Sequence, residues 1–170
     1  LEQFFTGNHD MLDKAYGPMV IRFFILQAHY RGTVDFSNDA LLAAEKALDR
    51  LMDGWHRLQE LQPAATATVQ LDDYRGKCLE ALCDDLNTPV AIAHLFDACR
   101  VVNQANDRLV SLTAGQIDEL KQLFADVAFG LLGLRDNAAG GTGGVDLEPY
   151  RKAVDLLLEL RAAAKAARDW

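Results

Sequence analysis

What most constrains this chain is the spacing of its apolar residues. Over most of the length they return every three or four positions, and glycine and proline are sparse between them. That period lays one apolar stripe along a helix, so the expected fold class is all-α. After a short apolar lead-in, Asn8 is suited to cap a brief helix around Met11 and Leu12. Gly17 breaks it, and Pro18 restarts the chain as a first-turn proline. Residues 19–30 are apolar on nearly every side (Met19, Val20, Ile21, Phe23, Phe24, Ile25, Leu26), which predicts a helix buried between neighbours. Arg22 and Arg31 stand out in that setting.

Ser37 is placed to cap a long helix with the stripe Leu41, Leu48, Met52, Trp55, Leu58, ended by Pro63. A small-residue linker over residues 64–68 leads to a third long element carrying Leu71, Tyr74, Cys78, Leu82 and Leu86. Thr88 as cap and Pro89 at the first helical position then start a fourth, with Ile92, Phe96, Cys99, Val102, Leu109 and Val110 on its stripe. Thr113 and Gln116 fit a capping box, Ile117, Leu120, Phe124, Val127 and Leu131 follow, and Gly133 is suited to the C′ stop. Residues 135–145 read RDNAAGGTGGV. They are too glycine-rich to pack and lack the lysine and helix start of a phosphate loop, so a mobile loop is expected. A last helix begins near Asp146 with Tyr150, Val154, Leu157, Leu158 and Leu160, then turns polar and alanine-rich. The expected architecture is a short helical segment, residues 1–35, followed by a bundle of four to five long helices over residues 36–170.

Little in this sequence points to chemistry. Cys78 and Cys83 lie about 140° apart around a helix, which suits buried thiols better than a zinc pair. The histidines show no metal-binding spacing, with His56 and His94 expected on helix surfaces, and Asp84 and Asp85 fit turn chemistry at a helix end. No nucleophile elbow, Ser-His-acid set or G-x-G-x-x-G is present, so no catalytic or metal-binding residue is assigned. Three cysteines, an odd number, and the lack of a signal segment point to a reducing cytoplasm. Charges interrupt every apolar stretch, which argues against a membrane partner. The chain opens on Leu1 and stops on Trp170 within a helical pattern, and is read as a piece of a longer protein.

Seventeen basic against 25 acidic residues leave a net charge of −8, which excludes a broad basic surface for DNA or RNA. Residues 1–34 and 145–170 are each neutral, so the excess acid lies between them and any nucleic-acid contact must be local and near the ends. The run of residues 22–31, Arg-Phe-Phe-Ile-Leu-Gln-Ala-His-Tyr-Arg, leaves two readings open. One is a buried helix whose arginine finds a carboxylate and whose end reaches solvent. The other is a small phosphate- and sugar-binding spot made by Arg22, His29, Tyr30 and Arg31.

Two blocks carry a family resemblance. Residues 16–22 (Tyr-Gly-Pro-Met-Val-Ile-Arg), Phe23-Phe24, Ala28-His29-Tyr30-Arg31 and Phe36-Ser37 resemble the segment after the KMSKS loop of cysteinyl-tRNA synthetase, a class I aminoacyl-tRNA synthetase. Asp84-Asp85-Leu86-Asn87-Thr88-Pro89, with Leu95-Phe96 and Asn103 after it, is similar to that family's D-D-x-N-T-P motif and following helix. The resemblance implies that residues 1–35 are the stem-contact segment behind the catalytic domain and that the rest is the DALR helical bundle. Residues 19–22 then stand where the name-giving D-A-L-R lies. It implies ATP and zinc in the parent enzyme, with none held here, because the HIGH, KMSKS and zinc-ligand motifs are not in this sequence. Partners would be tRNA and the parent's catalytic and anticodon-reading domains. Arg22, His29, Tyr30, Arg31 and the tail residues Arg161, Lys165 and Arg168 become candidate tRNA contacts, with weak binding expected of this piece alone. A protein-binding adaptor, or the bundle of the methionine or arginine synthetase, are the alternatives.

Overall fold

Four of the helices begin where a side chain replaces a backbone partner that a first turn lacks. The structure, a computed structural model, describes residues 2–7 and 12–136, and every regular element among them is helical. These are α1 (Glu2–Thr6), α2 (Pro18–Leu26), α3 (Asn38–Glu60), α4 (Tyr74–Cys83), α5 (Thr88–Asn106) and α6 (Ala114–Leu123), which runs on as a π-helical segment, Phe124–Leu131. Ser37 Oγ accepts from the Ala40 N–H at 3.2 Å, the Asp73 carboxylate caps α4 through Gly76 N–H at 2.8 Å, and Thr113 and Gln116 complete the expected capping box. None of these helices is long and apolar enough to cross a membrane.

Several elements differ in extent from the periodicity. α2 stops at Leu26, so Ala28, His29 and Tyr30 lie in a turn, and Ile25 is exposed. α4 is only ten residues long, which leaves Leu86 outside it and exposed. Asn87, rather than Thr88, caps α5 by accepting from Val90 N–H. α5 ends at Asn106, and Leu109 beyond it is 74% exposed instead of completing the stripe. The helix expected around Met11 and Leu12 falls largely outside the described residues, and Leu12 itself is not helical. Most of the glycine-rich stretch and the whole last helix, with Arg161, Lys165 and Arg168, also lie outside them.

The core is continuous, with Phe23, Leu41, Leu51, Leu58, Leu95, Val102, Leu120 and Phe124 almost fully enclosed. α3 and α5 run in the same direction, since Arg50 pairs with Phe96 and Arg57 with Asn103. Between those pairs the helices come close at Gly54, where an added Cβ would sit 2.7 Å from Cys99 Sγ. Any larger residue there would require Cys99 to shift. The loop of residues 61–73 is tied to the one after α5 by Ala64 N–H to Leu112 O (2.8 Å) and Thr68 N–H to Ser111 O (3.0 Å), and to the first turn of α6 by Gln116 Nε2 to Val69 O (2.9 Å).

The π-helical turn changes which leucine is buried. Leu132 N–H bonds to Val127 O, five residues back, at 2.8 Å. Leu132 is therefore 2% exposed beneath Val127, while Leu131, which an α-helical register would bury, is 55% exposed. Gly133 takes φ +62° and ends the segment as expected of a C′ glycine.

Candidate nucleic-acid interface

The two sequence blocks, about 60 residues apart, meet in space at the C-terminal end of α2. Because Asn87 takes over the capping of α5, the Thr88 hydroxyl is free to donate to Leu26 O at 2.7 Å. That satisfies one of the carbonyls a helix end leaves without an intrahelical partner. Just before it, α4 stops through two consecutive left-handed residues, Asp85 (φ 57°) and Leu86 (φ 53°). Such a conformation is unusual away from glycine, and here it brings the Asp85 carboxylate against the turn after α2.

Asp85 is the hub of that contact. Its Oδ1 accepts from Tyr30 Oη at 2.6 Å and from Arg31 Nη2 at 3.1 Å, and its Oδ2 lies 3.8 Å from His29 Nε2. Arg31 Nε also donates to Tyr30 Oη at 3.0 Å. The His29 and Tyr30 rings stack with centroids 5.0 Å apart, and the Arg31 guanidinium lies 5.5 Å from the Tyr30 ring centre. Arg31 N–H donates to His29 Nδ1 at 3.3 Å. Hydrogen bonding to Asp85 pushes the Tyr30 phenol above its ordinary pKa, with Arg31 opposing it.

Arg22 is not part of this group. Its Nε donates to Leu132 O at 2.7 Å, at the end of the π-helical segment. It finds a main-chain carbonyl there instead of the carboxylate expected of a buried arginine, and it is exposed. A cation at a helix C-terminus is favourably placed against the helix dipole. A Cβ on Gly133 would meet Arg22 Nη2 at 2.7 Å, which explains the close fit of the two residues. The sequence-predicted cluster therefore divides: His29, Tyr30 and Arg31 gather on Asp85, and Arg22 closes another helix. The Arg31–Asp85 pair is electrically neutral, and the Arg31 side chain is 69% exposed, so its remaining guanidinium face is open to a ligand.

The thiols do not form a metal site. Cys78 and Cys99 are buried, and burial pushes their pKa up to about 11 and about 12, which keeps them protonated. The Cys78 thiol donates to Ala91 O at 3.4 Å. Cys83, expected to be buried, is exposed at the last residue of α4. Among the described residues no three His, Cys, Asp or Glu side chains are grouped to hold a metal ion, so these residues do not fit zinc.

The described residues define a class of all-helical bundle with a polar cluster at one end. Residues 77–134, from α4 to the residue after Gly133, match the DALR domain family, and residues 19–22 fall outside that match. Along its length the chain is similar to cysteine-tRNA ligases. It is 53% identical over 170 residues to that of Parabacteroides distasonis, covering 100% of this chain and 34% of the relative. The ligase of Porphyromonas gingivalis is 52% identical over the same span, again 34% of its length. That of Chlorobium luteolum is 36% identical over 160 residues, covering 92% of this chain and 33% of the relative. The chain spans about a third of the length of the curated relatives it matches.

Proposed function

We propose that this chain is the non-catalytic helical part of a cysteine-tRNA ligase. It supports tRNA and holds the parent's catalytic and anticodon-reading domains at a set separation during ATP-dependent attachment of cysteine. In this reading residues 1–35 are the stem-contact segment, residues 36–170 are the bundle, and ATP and zinc belong to the rest of the enzyme, in the cytoplasm. The observation that carries it is the junction at Asp85 and Thr88. It fixes the turn of residues 28–31 to the start of α5, so that an exposed arginine and tyrosine and a half-buried histidine are presented together. Positioning of this kind affects rate without supplying a reacting group. Arg31 is the contact to phosphate, with His29 and Tyr30 beside it as stacking surfaces. Arg22 contributes through the π-helical end that it closes, and Arg161, Lys165 and Arg168 extend the basic contacts along the tail.

The test is Arg31→Ala in the full-length enzyme. Losing one phosphate contact should raise KM for tRNA and flatten the log–log salt dependence of binding by about 0.7–0.9. Cysteine-dependent pyrophosphate exchange, which needs no tRNA, should be unchanged. Unaltered tRNA affinity and salt slope would remove Arg31 from the interface.

A further inference from the structure

We propose that the groove between α3 and α5 is a second RNA contact, a clamp for backbone phosphate that is separate from the Asp85 junction. This rests on the reading of the chain as a support for tRNA. The groove encloses about 480 Å³. Arg50, Asp53 and Arg57 form its α3 wall, and Phe96, Arg100 and Asn103 its α5 wall. Both sets are spaced by three and four residues, so each occupies one helix face. The close crossing at Gly54 and Cys99 forms the floor and holds the walls parallel.

The charges are arranged for an anion from outside. Arg50, Arg57, Arg75, Arg100 and Arg108 are the arginines of residues 36–112, and three of these five line this one groove. Among the described residues neither Arg50 nor Arg57 has a carboxylate at ion-pair distance, although Asp53 shares their wall. Arg57 Nη1 donates instead to Asn103 Oδ1 at 2.8 Å, which orients the guanidinium and leaves its other N–H groups available. Arg50 lies 6.0 Å from the centre of the Phe96 ring. Arg100 pairs with Asp97 at 3.2 Å, outside the groove lining, with its side chain 72% exposed. A cation in the last turn of α3 is favoured by the helix dipole, which accounts for Arg57 by itself. Arg50 and Arg100 are far from either helix end, and that effect does not reach them. Guanidinium groups match phosphate oxygens in bidentate geometry, and an aromatic ring beside them offers a face for a base or ribose. The groove has room for one or two nucleotides and is confined to a strip of an otherwise acidic bundle.

The test uses the full 170-residue chain, isotope-labelled so that the Nε–Hε signals of individual arginines are followed by NMR at low salt. Probes are a cysteine-specific tRNA transcript and, separately, inorganic phosphate. The expected result is that the transcript shifts Arg50, Arg57 and Arg100 together. A variant carrying Arg50→Gln, Arg57→Gln and Arg100→Gln, with unchanged helical circular dichroism, should lower the log–log salt slope of tRNA binding by about two to three. Shifts confined to Arg31 and its neighbours would overturn the groove and leave the proposed function standing. Shifts at neither place would overturn both. If phosphate moves the three arginines and the transcript does not, the groove is a small-anion site and the RNA assignment is wrong.

Discussion

Gly54→Ala sets two effects of known sign against each other. Alanine is the better helix former, and in the middle of α3 the exchange should stabilise by about 1 kcal/mol if nothing else changed. The new methyl, however, would lie 2.7 Å from Cys99 Sγ and 3.3 Å from its Cβ. Rotating the thiol away relieves the first contact but not the second, and Cys99 is 4% exposed, so it has little room to turn. Overpacking of this kind costs about 1–3 kcal/mol. The net expectation is a loss of about 1 kcal/mol. Cys99→Ala alone should also cost about 1 kcal/mol, for the buried sulfur contacts it gives up. Combined, the methyl on α3 enters the volume that the sulfur vacates on α5, so the double variant should be more stable than the sum by about 1–2 kcal/mol. Urea unfolding with an unchanged m value measures each corner of the cycle. A stabilising Gly54→Ala with additive effects would show that α3 and α5 do not cross at this residue.

The π-helical register is checked by two neighbouring truncations: Leu132→Ala should cost about 2–5 kcal/mol, and exposed Leu131→Ala no more than about 0.5 kcal/mol. Equal losses, or the reverse order, would refute that register. For the thiols, a disulfide reagent at mildly alkaline pH should label Cys83 quickly in the folded chain and reach Cys78 and Cys99 only as it unfolds. Above the ordinary thiol value of 9.0, the unfolded chain releases protons that the folded one keeps until about 11 for Cys78 and about 12 for Cys99. The native state then binds more protons, so each thiol removes about 1.4 kcal/mol of stability per pH unit across its interval. Cys78→Ala with Cys99→Ala should flatten this decline, and an unchanged decline would refute burial as the cause.

Local signals were legible where one side chain meets one backbone group. Ser37, the Thr113 and Gln116 pair and Gly133 each act where the sequence put them. The stripe of α3 was legible too, because a long helix against one core repeats its period many times. Leu131 and Leu132 were not, since a change from a four- to a five-residue hydrogen bond leaves no mark in composition and moves the buried position by one. Residues 28–30 continue the apolar run of α2 without a glycine or proline stop but lie beyond its end, where Thr88 from another block does not act as a cap and instead donates to the Leu26 carbonyl. The cluster on Asp85 was half visible. Both blocks stood out in the sequence, yet only the left-handed backbone at Asp85 and Leu86 turns the carboxylate toward Tyr30 and Arg31. The arginine groove had a weaker signal, same-face spacing on two separate helices. Neither stripe says that α3 and α5 lie side by side in parallel; that is seen only in the pairing of Arg50 with Phe96 and of Arg57 with Asn103.

The net charge of −8 takes on a different meaning once the arginines have positions. Salt screens exposed charges beyond about 10 Å, so a polyanion near this surface responds to the local charge pattern more than to the total. Arg31 shares its carboxylate with Tyr30, whereas Arg50 and Arg57 have none at ion-pair distance among the described residues. The uncompensated positive charge is therefore greater in the groove, within the acidic middle of the chain, than at its neutral N-terminal end. Under the proposed function the carboxylates around the groove repel RNA from the rest of the acidic middle of the chain, so acidity sharpens the choice of docking face while lowering affinity. Removing acid outside the groove should then strengthen tRNA binding and loosen its discrimination between RNAs. Removing the three arginines should weaken binding to cysteine-specific and other tRNAs alike, because phosphate contacts carry no sequence information.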